Sequence, residues 1–255
     1  IYATTIKNKD EKQFAYATEL VEERLTQSDQ TSFQPKFSPN GKQIAFWENR
    51  GTLRVMDAKG KNVKTVMDGK YVYSYSDGDI DYPWSPDSKW FCLEFIGNGR
   101  DPYSDIGIVS VNGGKITNIT NSAYINVLPR WVLDGGAIMF ISNRYGLRSQ
   151  ASWGSQDDVL LAFVNEEAFD RYRLNKEEME LLKETEKAEK AEKDKTNKDK
   201  KDDKKKKAAN DEKDKVKDIV VELDKIKDRV IRVTLNSSDL AGCAINKDGD
   251  VLYYL

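Results

Sequence analysis

Short runs of β-branched and aromatic residues recur along most of the chain, with turn-forming residues between them. Two such runs are Ile44–Trp47 and Leu53–Asp57, and a third, Val63–Val66, follows the turn-like segment Ala58–Asn62. Runs of this length and composition, bounded by Gly, Pro and Asn, are typical of β-strands that reverse direction at tight turns. The pattern predicts an all-β fold of antiparallel strands.

The runs belong to a repeat that consists of an aromatic residue, a turn and a strand. The aromatic residues are Phe37, Trp84 and Trp131, which lie 47 positions apart, and a weaker copy begins at Ile245. Four antiparallel strands per roughly 40–50 residues is the signature of a β-propeller blade. One such sheet cannot bury its faces alone, so neighbouring sheets must pack face to face. An ordinary β-sandwich with coincidental turns is the alternative.

The repeat predicts three four-stranded blades with a partial blade at each end. The expected boundaries are 1–27 for a partial blade, 28–73, 74–123 and 124–235 for three blades, and 236–255 for a second partial blade. The two partial blades could pair with each other or with sheets outside this chain. Because both ends have strand-like residues, whose edges would otherwise be unprotected, the sequence suggests a piece cut from a longer protein.

A charged insertion, residues 165–218, interrupts the third of these blades. Asn165 is a candidate N-cap, and an apolar stripe predicts a helix over 165–185 that lies on the sheets. The stripe consists of Phe169, Tyr172, Met179 and Leu182. From 186 to 217 the chain is almost entirely Lys, Glu, Asp, Ala and Asn, which predicts a solvated excursion. A docking arm for a partner subunit is the alternative.

Composition excludes several classes of site. The 255 residues contain no histidine, which excludes a Ser-His-Asp triad, a Cys-His pair and histidine-ligated zinc within this chain. The formal net charge of −2 and the mixed signs of the insertion do not favour nucleic acid. No apolar run approaches the roughly 18 residues of a membrane span. Cys92 and Cys243 lie in apolar runs and are expected to be buried small hydrophobes.

The repeat resembles the TolB/PD40-type repeat of known β-propellers. The residues that carry this resemblance are Phe37–Gly60, a motif shared by TolB, by tricorn-like peptidases and by the propellers of prolyl-oligopeptidase relatives. Ser142–Val159, continuing into Asn165–Glu178, is similar to a propeller segment of bacterial tricorn-like serine peptidases of the S41 class. In that family the third strand of a blade runs into a helical, lysine-rich insertion, and Ile226–Thr234 resembles the strand that re-enters the blade.

The resemblance implies a non-catalytic propeller domain of a periplasmic or cell-envelope serine peptidase. Such a domain would admit or bind peptide or unfolded polypeptide, or would scaffold the peptidase, and its partners would include the remaining domains of the parent chain. The catalytic serine and histidine of the family lie in separate modules, so no catalytic, cofactor, metal or substrate-binding residue can be assigned here. Two alternatives stay open: a TolB-like protein-binding propeller without a peptidase, and the propeller cap of a prolyl-oligopeptidase-like hydrolase.

Three sets of side chains are weaker candidates for binding. The tryptophans could form a carbohydrate platform, but their positions beside repeat turns favour packing; they are Trp47, Trp84, Trp90, Trp131 and Trp153. Asp77, Asp79 and Asp81 faintly resemble a calcium loop, but the glutamate of an EF-hand is missing. Three arginines could face a channel and hold peptide carboxylates or carbonyls, although surface pairing is favoured; they are Arg130, Arg144 and Arg148.

Overall fold

The computed structural model describes residues 1–72, 80–97, 99, 103–147, 154–198 and 217–255, with the backbone alone over 190–198. These residues form five antiparallel sheets, numbered here in chain order. The first sheet contains β1 (Tyr2–Ile6) and β2 (Leu20–Arg24). The second contains β3 (Ser32–Phe37), β4 (Gln43–Glu48), β5 (Thr52–Asp57) and β6 (Lys64–Met67). The third contains β7 (Trp90–Phe95), β8 (Asp105–Ser110) and β9 (Thr117–Asn118).

The fourth and fifth sheets continue the series. The fourth contains β10 (Asn126–Val132), β11 (Ala137–Gly146), β12 (Gln156–Phe163) and β13 (Val230–Arg232), and the fifth contains β14 (Cys243–Ile245) and β15 (Leu252–Tyr254). In each sheet the strands are hydrogen-bonded in the order in which they occur along the chain. This up-and-down order is that of propeller blades.

The repeat predicted from the sequence is confirmed by the strand register. Phe37 pairs with Ile44, Trp84 with Phe91, and Trp131 with Ile138, in each case a partner seven residues later. The weaker copy follows the same rule, because Ile245 pairs with Leu252. The aromatic residues therefore occupy equivalent places in successive sheets.

The third sheet departs from the expected four strands. Its first strand is reduced to the single bridge between Trp84 and Phe91, so β7, β8 and β9 are its only full strands among the described residues. Pro83 and Pro86 flank Trp84. Pro83 accepts a hydrogen bond from the Cys92 N–H at 3.2 Å but has no N–H to donate in return, which explains the loss of regular pairing here. Pro86 has a counterpart in Pro39, which follows the regular strand β3.

The repeat turns are held by serine side chains in two of the copies. The Ser38 hydroxyl accepts a hydrogen bond from the Gln43 N–H at 3.0 Å, and the Ser85 hydroxyl accepts one from the Trp90 N–H at 2.9 Å. In the fourth sheet Val132 takes the place of serine, and the chain turns through a 3₁₀ segment, Leu133–Gly135. All three residues of that segment have φ between 54° and 92°, a conformation that costs glycine less than other residues.

The core lies between successive sheets. The second and third sheets enclose an aromatic cluster, which includes Trp47, Tyr82, Phe91, Leu93 and Phe95. The third and fourth sheets enclose a more aliphatic cluster, which includes Cys92, Ile106, Ile108, Ile138, Phe140 and Leu160. Smaller clusters join the first sheet to the second and the fourth to the fifth. This face-to-face packing buries both sides of the inner sheets.

The described part of the insertion contains two helices rather than the single helix predicted over 165–185. They are α1 (Glu166–Arg173) and α2 (Lys176–Lys198). Asn165 caps α1 as predicted, accepting a hydrogen bond from the Ala168 N–H at 2.8 Å. The break was missed because Asn175 forms a second cap, in which its side chain and that of Glu178 each accept the other's N–H at 2.9 Å. Residues 199–216 of the predicted solvated excursion lie outside the described residues.

The apolar stripe of the insertion packs on the fourth sheet through its first half. The rings of Phe169 and Tyr172 lie 5.4 and 5.0 Å from the ring of Phe163. Met179 and Leu182, on α2, are only half-buried. The insertion therefore begins with a helix, α1, that packs on the fourth sheet.

The chain returns from the insertion beside the strand that it left. The Glu222 N–H donates to the Val164 carbonyl at 2.7 Å, and the buried Arg229 side chain donates to the carbonyls of Phe163 and Glu222. β13 then pairs with β12 as the fourth strand of the sheet. The insertion therefore extends one blade without disturbing the order of its strands.

Candidate functional site

In the second, third and fourth sheets, the segment that ends at the repeat's aromatic residue forms what we call the inner edge. It comprises Gln34–Phe37 in the second sheet, Asp81–Trp84 in the third and Leu128–Trp131 in the fourth. Gln34 and Leu128 have positive φ, and the strand register shifts after each of them at Pro35 and Pro129. A bulge next to a proline blocks the addition of another strand, because part of the edge ladder is missing. A ligand at the inner edge would therefore contact side chains.

The inner edge carries both paired and unpaired charges. Lys36 forms an ion pair with Asp81 and lies over the ring of Tyr82. Leu128 is 43% exposed, and its backbone N–H donates to the Glu94 carboxylate at 2.7 Å. Arg130 is exposed and has no ion pair within the described part of the chain. An apolar and a cationic side chain are thus presented side by side on β10.

The calcium-loop candidate is only partly described. Asp81 accepts a hydrogen bond from the Tyr82 N–H at 2.8 Å in addition to its ion pair with Lys36, so it has a structural role. Asp77 and Asp79 lie outside the described residues. Among the residues that are described, no group of three or more acidic or cysteine side chains could hold a metal ion.

A cavity of about 390 Å³ opens between the third and fourth sheets. Its lining comes from the connection between these sheets, from the fourth sheet and from the return of the insertion. The lining residues are Ile119–Tyr124, Asn126, Phe140, Ser142, Arg144, Leu160, Lys227 and Val230. Its floor is apolar and its rim is polar and cationic, which is the usual make-up of a small-molecule pocket.

The two candidate arginines that the structure describes lie in different places. Arg130 lies on the inner edge, Arg144 lines the cavity, and Arg148 lies outside the described residues. Lys227, which lines the cavity together with Arg144, was missed by sequence reasoning. It lies beyond the insertion, and no local pattern links it to β11.

The tryptophans that the structure describes are packed, as the sequence indicated. Trp47 is buried, its indole N–H donates to the Ile80 carbonyl at 3.2 Å, and its ring meets Tyr82 edge-on. Trp84 stacks on Phe91 with ring centroids 4.2 Å apart. Trp90 and Trp131 pack against the cluster between the third and fourth sheets. These four side chains therefore do not form a carbohydrate platform, and Trp153 lies outside the described residues.

Neither cysteine has the surroundings of an activated nucleophile. Cys92 is buried and Cys243 is half-buried, and both are unbridged. Burial raises the pKa of each thiol above its usual value. A raised pKa disfavours the reactive thiolate, so both behave as small hydrophobes.

Comparisons with known proteins identify the fold. No protein-family model and no curated protein matches the sequence. Among solved structures, the chain is similar to tricorn protease, with 11% identity over 88% of this chain and 19% of that one, at a TM-score of 0.53. It is also similar to TolB from Acinetobacter baumannii, with 17% identity over 59% of this chain and 33% of that one, at a TM-score of 0.41. AtxE2 isopeptidase gives 14% identity over 53% of this chain and 29% of that one, at a TM-score of 0.40.

The likeness to tricorn protease and the repeated strand register establish a β-propeller fold with antiparallel blades. The chain spans 33% of the length of that TolB and 19% of that of tricorn protease. The predicted all-β propeller fold class is confirmed by this likeness and this register.

Within the described residues, no helix is both long and apolar enough to cross a membrane.

Proposed function

We propose that this chain is a non-catalytic part of a β-propeller that binds or admits unfolded polypeptide for a tricorn-like serine peptidase of the S41 class. The catalytic modules would lie elsewhere in the parent protein. The proposal includes a periplasmic or cell-envelope location, which rests on the resemblance of the repeat. Its partners would be peptide substrates and the remaining domains of the parent.

The observation that carries the proposal is the composition of the inner edge. Phe37 is 63% exposed and Leu128 is 43% exposed, and Arg130 lies two residues after Leu128. Exposed apolar side chains can contact any hydrophobic residue of an unfolded chain, while a guanidinium donates to peptide carbonyls and carboxylates. Because the proline-containing bulges block strand addition, these contacts do not fix the register of the bound chain. Such a surface suits binding that tolerates many sequences.

Site-specific photocrosslinking tests this proposal directly. The photoreactive residue p-benzoylphenylalanine would replace Leu128 at the inner edge or, as a matched control, Val63, which is 48% exposed next to the outer strand β6. Each variant would be irradiated with a reduced, carboxymethylated polypeptide that cannot fold. We expect adducts from position 128 and few from position 63. Equal yields at both positions, or none at 128, would contradict binding at the inner edge.

The remainder of the open reading frame tests the link to a peptidase. A PDZ-like module and an S41 peptidase core in the same gene product are expected. A gene product that consists of the propeller alone would instead favour the TolB-like alternative. A Gly-x-Ser-x-Gly nucleophile elbow downstream would favour the prolyl-oligopeptidase-like alternative.

A further inference from the structure

The cavity between the third and fourth sheets has a lining that the proposed function does not use. It lies beside the connection Ile119–Tyr124, whereas the polypeptide surface proposed above is the inner edge. Its floor and its rim differ sharply in polarity. The floor determines what apolar group the cavity can hold, and the rim determines the charge of the polar group.

The floor of the cavity is built from core side chains. Ile119, Phe140 and Leu160 are each no more than 2% exposed, and half-buried Val230 completes the surface. An apolar surface of this kind gains free energy when an apolar group displaces water from it. The volume of about 390 Å³ falls at the lower end of the range for small-molecule pockets. The floor therefore suits a short apolar chain.

Two cations stand on the rim, Arg144 and Lys227. Neither forms an ion pair with any other described residue. The buried carboxylate behind the rim, Asp105, already accepts hydrogen bonds from the side chains of Asn118 and Thr120 and from the Ser122 N–H, at 2.7 to 3.0 Å. Within the described part of the chain, neither rim cation is therefore in ion-pair contact with a carboxylate.

The next carboxylate along the sheet is also engaged by the protein. Asp158 sits opposite Ser142 in the strand register and is fully buried. It accepts hydrogen bonds from Arg232, Thr234 and Ser237 at 2.7 to 2.9 Å. It is therefore not available to neutralise a cation on the rim.

Hydroxyl groups of the cavity lining add uncharged donors. The Ser142 oxygen accepts from the Arg144 N–H at 3.3 Å, and the Ser122 oxygen accepts from the Asn126 amide at 3.0 Å. Within the described structure neither serine donates its own proton, and the Tyr124 hydroxyl has no hydrogen bond. Each hydroxyl carries one proton that it can donate to an acceptor. The lining thus combines two cations with three available hydroxyl donors, and none of the lining residues that the structure describes is acidic.

We infer that this cavity binds a carboxylate carried on a short apolar chain. The carboxylate would accept hydrogen bonds from Arg144, Lys227 and the hydroxyls of the lining, and the chain would lie on the apolar floor. A cation is disfavoured by the two positive charges. Phosphate would leave the floor uncovered and would lose the hydration that its higher charge requires. Two sources share the favoured chemistry: a free short-chain acid, and the C-terminal residue of a peptide with an apolar side chain.

Titration calorimetry with three probes tests the chemistry of the ligand. Hexanoate has both parts of the inferred ligand, hexanamide keeps the chain without the charge, and inorganic phosphate keeps the charge without the chain. We expect hexanoate to bind with a Kd on the order of 1 mM, and the other two probes to bind at least about tenfold more weakly. Equal binding of hexanoate and hexanamide, stronger binding of phosphate, or no binding of hexanoate would overturn the inference.

A double variant locates the site. Arg144→Gln with Lys227→Gln removes both rim cations, and Arg24→Gln with Lys115→Gln removes the same charge from positions outside the cavity lining. The rim variant is expected to weaken hexanoate binding at least about tenfold, because charged hydrogen bonds are the strong ones. The control is expected to bind like the parent. Equal losses in both variants would show a non-specific charge effect and would overturn the inference.

Calorimetry with two peptides distinguishes a free acid from a peptide C-terminus as the source of the carboxylate. One peptide would end in leucine with a free carboxylate, and its partner would be amidated at the C-terminus. Tighter binding of the free peptide than of hexanoate would support the site and identify a peptide terminus as its ligand. Binding of hexanoate but of neither peptide would support the site and identify a small acid. Both results are independent of crosslinking at Leu128, so this inference and the proposed function can fail separately.

Discussion

The interface between the second and third sheets and the interface between the third and fourth are built from the same repeat but filled differently. In the first, Trp47 meets Tyr82 edge-on, with ring centroids 5.4 Å apart, and the Tyr82 hydroxyl donates to the carbonyls of Gln34 and Ala45. In the second, the buried side chains are mostly aliphatic, and the cavity lies among them. Strand register alone therefore does not decide how tightly two blades pack.

Equivalent positions of the repeat show which residues differ between the two interfaces. Trp47 lies ten residues after Phe37, and the equivalent residue in the third sheet is Glu94. Tyr82 lies two residues before Trp84, and its equivalent in the fourth sheet is Pro129. The second interface thus lacks both members of the aromatic pair, and Glu94 instead accepts a hydrogen bond from the backbone of β10. Positions that vary between copies of a repeat are where a binding site can arise without loss of the fold.

The largest effect is expected when one leucine on each interface is truncated. Leu93 lies in the cluster between the second and third sheets, and Leu160 lines the cavity between the third and fourth. We expect Leu93→Ala to lower the free energy of unfolding by about 3–5 kcal/mol and Leu160→Ala by about 2–3 kcal/mol. The loss at Leu160 is smaller because one side of that residue already faces open space. Urea unfolding followed by tryptophan fluorescence measures both values.

Val63→Ala serves as the control for this pair. Val63 is 48% exposed, so its truncation is expected to change the free energy of unfolding by less than about 0.5 kcal/mol. The slope of the unfolding free energy against urea concentration should be the same for the three variants, since none of them changes the area exposed on unfolding by much. A loss for Leu160→Ala as large as that for Leu93→Ala would mean that the cavity does not reduce the contribution of Leu160 to the free energy of unfolding.

A smaller effect is expected from alkaline pH, through Tyr82 at the aromatic interface. Burial raises the pKa of Tyr82 above its usual value of 10.0. A group whose pKa is higher in the folded state contributes stability that is complete below the unfolded pKa and is lost as pH rises above it. Above pH 10 we therefore expect Tyr82 to lower the free energy of unfolding by up to about 1.4 kcal/mol per pH unit.

Tyr82→Phe isolates this contribution. At pH 7 the variant is expected to lose about 1 kcal/mol, because the hydroxyl no longer donates to the Gln34 and Ala45 carbonyls. Between pH 10 and 11 it should lose stability less steeply than the parent protein. Urea unfolding at pH 7, 9, 10 and 11 provides the comparison. Parallel losses in the two proteins over that range would show that the hydroxyl ionises without unfolding the interface.

The fold was predictable where one short pattern decides the structure. The spacing of Phe37, Trp84 and Trp131 predicted equivalent places for these residues in three successive sheets, and the observed pairings agree with that prediction. The cap at Asn165 was predictable for the same reason, since it is a local hydrogen bond. The second cap at Asn175 was equally local and was overlooked, because the surrounding charged run masks the boundary.

The cavity was not predictable, because it depends on residues that meet only in the folded chain. Arg144 was a candidate from its position, but Lys227 reaches the same cavity from the far end of the insertion. The shortened first strand of the third sheet was missed for a different reason. The aromatic repeat predicted a regular strand there, whereas Pro83 lacks the N–H that the ladder needs opposite Cys92.

The smallest expected effect concerns the turns, where the third and fourth sheets also differ. Ser85 accepts a hydrogen bond from the Trp90 N–H and donates one to the Asp87 carboxylate at 2.5 Å, whereas Val132 takes its place in the fourth sheet. Ser85→Ala is expected to lower the free energy of unfolding by about 1 kcal/mol, because a buried N–H loses its acceptor. The matched control is Ser155→Ala, since the Ser155 hydroxyl is buried without a partner among the described residues and its removal should cost nothing. Equal values for the two variants, measured by urea unfolding, would show that the serine turn does not stabilise the third sheet.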